Sequence, residues 1–465
     1  MSNNKLHETE NIFSDEYPDI PKYKAFTSRN FRKISQIQDN FSERDMYEME
    51  VVAKVLPFKA NSYVVDELIN WNNPRKDPIF HLTFPNRDML LPHHFEAVEQ
   101  LLKKDLDKIV FENEINKIRH ELNPHPAGQS KLNIPSIDDQ KLDGMQHKYD
   151  QTTLFFPAQG QTCHAYCTFC FRWPQFVRMD GLRFATSDID NVINYIRANP
   201  QITDLLFTGG DPMVMNANRF AKYIDAVLDA KIPHLQNIRI GSKSLAYYPY
   251  MYLTENGQTV LNTFKKVTDS GLHLAFMAHF NHYVELSTPS VKEAIQRIND
   301  TGARIRTQSP VFKNINDSPE VWSRMWREQV KLGCVPYYMF IARDTGAQHY
   351  FSVTLERAWQ IFREAYSEVS GLARTVRGPS MSCGPGKIQV LGVTEIQNEK
   401  IFILRFIQGR DKDWVQRPFF AKYNPDAVWI DDLQPAFGEK EFFFEEEYRN
   451  IFHATQEDYE KIEEN

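Results

Sequence analysis

From residue 151 to residue 375 the chain keeps one rhythm. Short apolar runs, LFFPA (154–158), DLLFT (204–208), IRIGS (238–242), LHLAFMAHF (272–280), ARIRTQ (303–308) and VPYYMF (335–340), alternate with amphipathic stretches of helix length. In the first of these stretches, SDIDNVINYIRAN, Ile189, Val192, Ile193 and Ile196 fall at helical spacing, with Ser187 as the expected cap. Successive strand–helix units of this kind require a parallel sheet with helices outside it, either an open doubly wound sheet or a barrel. Periodicity alone does not choose between the two.

The flanks break the rhythm. Residues 1–45 are polar and patternless and read as a mobile N-terminal segment. Residues 46–150 carry helical patterns such as HFEAVEQLLKKDLDKI, then a Pro-, Gly-, Ser- and Asp-containing stretch (123–150) that reads as a wrapping linker. Residues 376–465 read as a C-terminal cap or oligomer contact, so a homo-oligomer is expected. Phe419, Phe420, Phe442, Phe443 and Phe444 belong to a core or an interface there.

Composition excludes several classes. A net charge of −7 with no basic stripe argues against nucleic acid as a partner. No run approaches ~18 uninterrupted apolar residues, so no membrane span is expected. The polar, acidic start lacks the pattern of a secretory signal, which makes the cytoplasm the expected location. Five cysteines do not make a disulfide scaffold, and three of them, Cys163, Cys167 and Cys170, lie within eight residues.

That triad sits in CHAYCTFCFRWP (163–174), directly after the first expected strand. A cubane cluster ordinarily takes four thiolates, so three on one tight loop leave one iron open to another ligand. A structural zinc site wants four protein ligands; His164 is a candidate fourth but is awkwardly adjacent to Cys163. A non-catalytic cluster- or zinc-binding protein therefore stays open as a reading.

CxxxCxxC with Phe169 before the last cysteine resembles the signature of the radical S-adenosylmethionine (SAM) superfamily, and TGGDP (208–212) after the second strand resembles its glycine-rich SAM loop. The resemblance implies an α/β fold, a radical SAM (β/α)6 partial TIM barrel over residues 151–375, with a helical N-terminal extension and a C-terminal cap. It implies a [4Fe–4S] cluster on the three cysteines, and SAM bound with the help of Phe169, Gly209, Gly210 and Asp211. Further stretches in the same order, among them PFKANSYVVDELINWNNPRKDPI (57–79), HKY (147–149), RIGSK (239–243), AHFNH (278–282), TQSPVFKNIND (307–317) and GPGKIQV (384–390), resemble the lysine 2,3-aminomutase family. That family adds pyridoxal 5′-phosphate (PLP) and moves an amino group from Cα to Cβ by way of a 5′-deoxyadenosyl radical.

Carried over by this resemblance, Lys387 is the PLP lysine and Arg172 holds the substrate α-carboxylate. Lys148 and Lys243 stand at basic cofactor-binding positions, and His279 and Gln308 lie near the cofactors. A further expected arginine is Thr152 here. The two aspartates that bind the ε-ammonium in lysine-specific members are replaced by Arg343 and Ser380. Losing both removes the counter-charge for a buried ammonium, so an amino acid other than lysine is expected as substrate, an acidic one such as glutamate or aspartate fitting Arg343. Asp344 is the next residue, and alternation along a strand would let only one of the two face inward. The family's C-terminal zinc cysteines are absent, since no cysteine follows Cys383.

The resulting expectation is an isomerase, a radical SAM, PLP-dependent 2,3-aminomutase supplied with electrons by a flavodoxin- or ferredoxin-type reductant. The alternative within the superfamily is an enzyme that modifies a peptide or small metabolite without aminomutase activity.

Overall fold

The strands expected from the apolar runs form, and one sheet contains them all. The computed structural model describes residues 20–123, 133–137, 140–177, 179 and 185–453. A small hairpin pairs β1 (Ala25–Thr27) with β2 (Lys59–Asn61). The main sheet has eleven strands: β3 (Met145–Tyr149), β4 (Thr152–Phe155), β5 (Asp204–Phe207), β6 (Asn237–Ser242), β7 (His273–His279), β8 (Arg304–Val311), β9 (Val335–Ile341), β10 (Arg377–Ser382), β11 (Gly386–Ile396), β12 (Glu399–Gly409) and β13 (Pro418–Lys422). They follow one another in chain order across the sheet. β4 to β10 run parallel, and β3, β11, β12 and β13 are antiparallel to their neighbours.

Helices α1 (Ile189–Ala198), α2 (Ala217–Asp229), α3 (Glu255–Asp269), α4 (Pro289–Asp300), α5 (Pro319–Lys331) and α6 (Leu355–Ser367) fill the crossovers of the parallel strands. Phe207 of β5 packs edge-on against Phe220 of α2, and Phe276 of β7 packs against Phe264 of α3. Alternation then turns Arg239, Gly241, His279, Arg306 and Gln308 to the opposite face, where they remain partly exposed in the lumen. The result is an α/β partial barrel, as the alternation of strands and helices implied.

Several boundaries differ from those read in the sequence. Asp188, not Ser187, caps α1: its carboxylate accepts from the Asn191 amide at 3.1 Å, while the Ser187 hydroxyl is taken by Gln159. The stretch ending at residue 150 is no simple linker, because Met145–Tyr149 extends the sheet. Residues 20–45 are not patternless. Phe31, Ile34, Ile37 and Phe41 are buried there. Residues 1–19 lie outside the described part. RGPSMS, with no apolar run to announce it, supplies the seventh parallel strand, and the C-terminal strands continue the barrel sheet rather than standing apart from it. Phe419, Phe442 and Phe444 are buried and pack with Phe406 beside Trp414.

The sheet curls until its edge strand meets its far side. Lys148 of β3 donates to the carbonyl of Cys383, in the turn between β10 and β11. Lys387 of β11 stands 5.5 Å over the ring of Tyr149 of β3. Side chains close this seam.

Candidate active site

The loop after β4 carries Cys163, Cys167 and Cys170, all unpaired and all partly exposed. Tight turns set their order: the Cys170 amide donates to the Cys167 carbonyl at 3.1 Å, and that of Trp173 to Cys170 at 3.0 Å. The N-terminal region clamps the loop from outside. Tyr23 Oη donates to the His164 carbonyl at 2.7 Å, Lys59 Nζ to the Cys163 carbonyl at 2.7 Å, and Thr168 Oγ1 to the His81 carbonyl at 2.7 Å. Burial pushes all three thiols up, Cys167 to about 12, and each is raised further by a neighbouring thiolate or carboxylate in the first two cases. The cations opposing this are Lys59 at Cys163, Lys243 at Cys167 and Arg172 at Cys170. Burial also holds the His164 ring neutral, down to about 3.

Among the described residues, the group that brings three ligand atoms within 4.8 Å of one another is His93, His94 and Glu121, not the cysteines. One tetrahedral zinc would set its sulfurs ~3.8 Å apart, given Zn–S bonds of ~2.3 Å. The wider triad suits a polynuclear cluster.

TGGDP lies flat against the residues before Cys163. A Cβ on Gly210 would come within 2.5 Å of the Thr162 carbonyl oxygen, and Gly209 takes φ +142, so only glycine lets the two loops touch. The Asp211 amide donates to the Thr162 carbonyl at 2.8 Å. Its carboxylate lies close enough to Cys163 to raise that thiol. It accepts from Ser242 Oγ at 2.7 Å, the Lys243 amide at 2.9 Å and the Met213 amide at 2.9 Å. Burial raises it to about 6. Asp211 therefore ties the loops after β5 and β6 together.

Lys243 reaches the same region from the end of β6. Its ammonium is taken up by Asn281 Oδ1 and the fully buried Glu285 carboxylate, each at 2.7 Å, beside Cys167. It faces the cluster loop as one half of an internal ion pair. His279 and Gln308, adjacent in register on β7 and β8, are joined directly: the Gln308 amide donates to His279 Nε2 at 2.6 Å. Burial and Lys243 hold that imidazole neutral, down to about 3. Phe169 packs on Phe312 with ring centroids 4.0 Å apart, the planes tilted by 38°.

At the seam, Lys387 donates to Gln408 Oε1 at 2.7 Å and sits over the rings of Tyr338 (4.8 Å) and Tyr149. Burial, then Arg239 and Arg377, push its amine down to about 7. Lys148 is likewise brought down to about 7, by burial and then Arg410. Tyr149 Oη and Arg239 Nε are buried without a hydrogen-bond partner among the described residues. An amine held near neutrality among unpartnered donors and cations fits an anionic aldehyde cofactor. Ser380 lies on β10 with its hydroxyl turned to the Met339 carbonyl, away from this space.

Arg172 stacks on Phe156 and Phe171, and Arg343 on Phe171 and Trp429. Arg172 Nη1, Arg343 Nε and Asp344 Oδ1 are buried atoms without hydrogen-bond partners among the described residues. β9 ends at Ile341, so Arg343 and Asp344 lie in the loop beyond it and strand alternation does not separate them. Both side chains are half-buried, Arg343 Nε 3.5 Å from Asp344 Oδ1. Tyr149, Tyr338, Gln408, Arg239, Arg377 and Arg410 were not singled out from the sequence. Tyr149 and Arg239 stand inside motifs already noted, HKY and RIGSK; Gln408 gave no signal, because the β11–β12 pairing that brings it to Lys387 cannot be read from local pattern.

No family model matches the chain. A relative from Aquifex aeolicus, provisionally named L-lysine 2,3-aminomutase, is 32% identical over 85% of this chain and 92% of its own length. L-lysine 2,3-aminomutase from Methanococcus maripaludis is 24% identical over 82% of this chain and 78% of its own. L-lysine 2,3-aminomutase from Bacillus subtilis is 28% identical over 54% of this chain and 50% of its own. Among solved structures, the radical S-adenosylmethionine methyltransferase TsrM from Kitasatospora setae aligns over 41% of this chain and 35% of that one, with a TM-score of 0.28 and 9% identity.

Proposed function

The chain belongs to the lysine 2,3-aminomutase family of radical SAM enzymes, and from that premise we propose that it is a PLP-dependent 2,3-aminomutase acting on an acidic amino acid, glutamate or aspartate, in place of lysine. Membership implies a [4Fe–4S] cluster and SAM. When bound, these supply a 5′-deoxyadenosyl radical for hydrogen abstraction, and PLP supplies the carbonyl that carries the migrating nitrogen.

The chain's own residues divide the work. Cys163, Cys167 and Cys170 hold the cluster; Gly209 and Gly210 open their backbone to SAM, with Asp211 fixing that loop. Lys387 holds PLP, and Lys148 adds positive charge beside it. His279 and Gln308 line the lumen between the two ends. Arg172 takes the substrate α-carboxylate in a two-pronged grip.

The observation that carries the substrate assignment is Arg343. It is half-buried beside Arg172 and Phe171, and its Nε makes no hydrogen bond among the described residues, with the Asp344 carboxylate 3.5 Å away. Arg172, Arg343, Lys148 and Arg410 gather at this end of the lumen, with the carboxylates of Asp344 and Asp431 near them. An ammonium side chain there would add to the positive charge, whereas a carboxylate gives Arg343 a hydrogen-bonded partner beside Asp344. The test is to incubate reduced, SAM- and PLP-loaded enzyme with a panel of amino acids and look for β-amino products. Glutamate or aspartate should convert. A β-lysine product would overturn the assignment.

A further inference from the structure

A second concavity opens on the outer side of the cysteine loop, away from the lumen. It is a cavity of about 600 Å³ lined by Arg75, Lys76, His81, Asp88, Lys313 and Tyr350 together with other polar residues. Arg75, Lys76 and Lys313 are exposed at its rim. Arg75 is paired with Asp45 at 2.7 Å. Lys76 and Lys313 enter no ion pair among the described residues, in a chain whose net charge is −7.

The wall of this cavity is His81. Its Nδ1 meets Tyr350 Oη at 2.7 Å and its Nε2 meets the Arg75 carbonyl at 2.9 Å. On the other side its carbonyl accepts from Thr168 Oγ1 at 2.7 Å, and the next carbonyl, Leu82, accepts from the Thr168 amide at 3.0 Å. Thr168 lies between Cys167 and Cys170. One residue thus separates a cationic hollow from the loop assigned to the cluster. Phe169 reinforces the wall through Phe312 and Phe351, the neighbours of Lys313 and Tyr350.

The lumen must be kept for SAM and substrate, so the reducing electron has to reach the cluster through the outer wall. The geometry points to the hollow between Lys76 and Lys313 as the docking face of a small acidic one-electron carrier, a flavodoxin- or ferredoxin-type protein, whose electron reaches the cluster by way of His81 and Thr168. The inference rests on the cluster reading. The reduced carrier loses one electron and the oxidised cluster gains it; no bond forms or breaks, and no proton moves. Opposite charge on the two faces steers the encounter and makes its rate sensitive to salt.

The test uses holoenzyme of full iron content, wild type and the K76E/K313E double variant. Anaerobic stopped-flow follows bleaching of the cluster by photoreduced flavodoxin at several ionic strengths, with dithionite as the small reductant, and carbodiimide cross-links to flavodoxin are mapped by mass spectrometry. The expected result is a tenfold or greater rise in the carrier concentration needed for half-maximal rate. The salt dependence should flatten, cross-links at Lys76 and Lys313 should vanish, and the dithionite rate should not change. Carrier-driven reduction with unaltered rate and salt dependence overturns the docking face, as do cross-links that map elsewhere in the wild type. An equal fall with both reductants also overturns it, since that is damage to the loop. A wild type that takes up no iron removes the cluster reading itself, a failure visible before any carrier is added.

Discussion

Lys387 Nζ donates to Gln408 Oε1 at 2.7 Å across the β11–β12 ladder, directly over the ring of Tyr338. This holds an amine with its value brought down to about 7 where the seam of the sheet opens. The free amine attacks an aldehyde, the ammonium does not, and the free form prevails above the lowered value. PLP loading should therefore speed up as pH climbs through about 7 and level off above it. Borohydride trapping should leave the adduct on the Lys387 peptide, and Lys387→Ala should lose the visible PLP absorbance while keeping its iron. Absence of that band in wild type with an intact cluster would remove PLP from the mechanism.

The cysteines are expected to act as one unit. Cys163→Ala, Cys167→Ala and Cys170→Ala should each abolish labile sulfide and 5′-deoxyadenosine formation, whereas Cys334→Ala, buried far along the chain, should retain both. Iron and sulfide assays on anaerobically purified protein decide the matter. Stoichiometric zinc without iron would replace the cluster by a structural ion.

Arg343→Met should raise the KM for an acidic substrate ~10- to 150-fold, the equivalent of the ~1.5–3 kcal/mol carried by a hydrogen bond to a charged group. PLP loading should be unaffected. Asp344→Asn, which removes the opposing carboxylate at 3.5 Å, should move KM the other way. Steady-state kinetics on both variants separates the roles, and equal effects in one direction would contradict the pocket as drawn.

Gly210→Ala puts a methyl group 2.5 Å from the Thr162 carbonyl oxygen. Neither partner is a flexible side chain, so the loops must part, at ~1–3 kcal/mol. Weaker SAM binding by calorimetry and a lower melting temperature are expected. Gly371→Ala is the control, because nothing lies within 4 Å of its added carbon; a melting temperature for Gly210→Ala no lower than that of the control would rule out the close approach.

The barrel was legible because its helix-facing side is largely apolar, and alternation of such runs with 3.6-period helices has few solutions. The three cysteines, the glycine pair and Lys387 were legible as short motifs. What escaped was set by contacts between distant segments. Arg377–Ser382 lacks any apolar run, so its place as a parallel strand comes from pairing with β9 alone. The internal partners of Asp211 and Lys243, Ser242 and Glu285, come from other loops and gave no local signal. Arg343 and Asp344 were treated as strand neighbours although β9 stops two residues earlier.

The Lys148–Cys383 contact closes the sheet on itself with a side chain where the other joints are backbone ladders. A ladder opens only by giving up a row of amide bonds together, but this joint rests on a few flexible stems, Lys148 on the Cys383 carbonyl, Lys387 over Tyr149 and Arg410 on Asn133. Parting them would leave every rung of the backbone ladders in place, so the wall beside Lys387 is the easiest part of the cylinder to loosen.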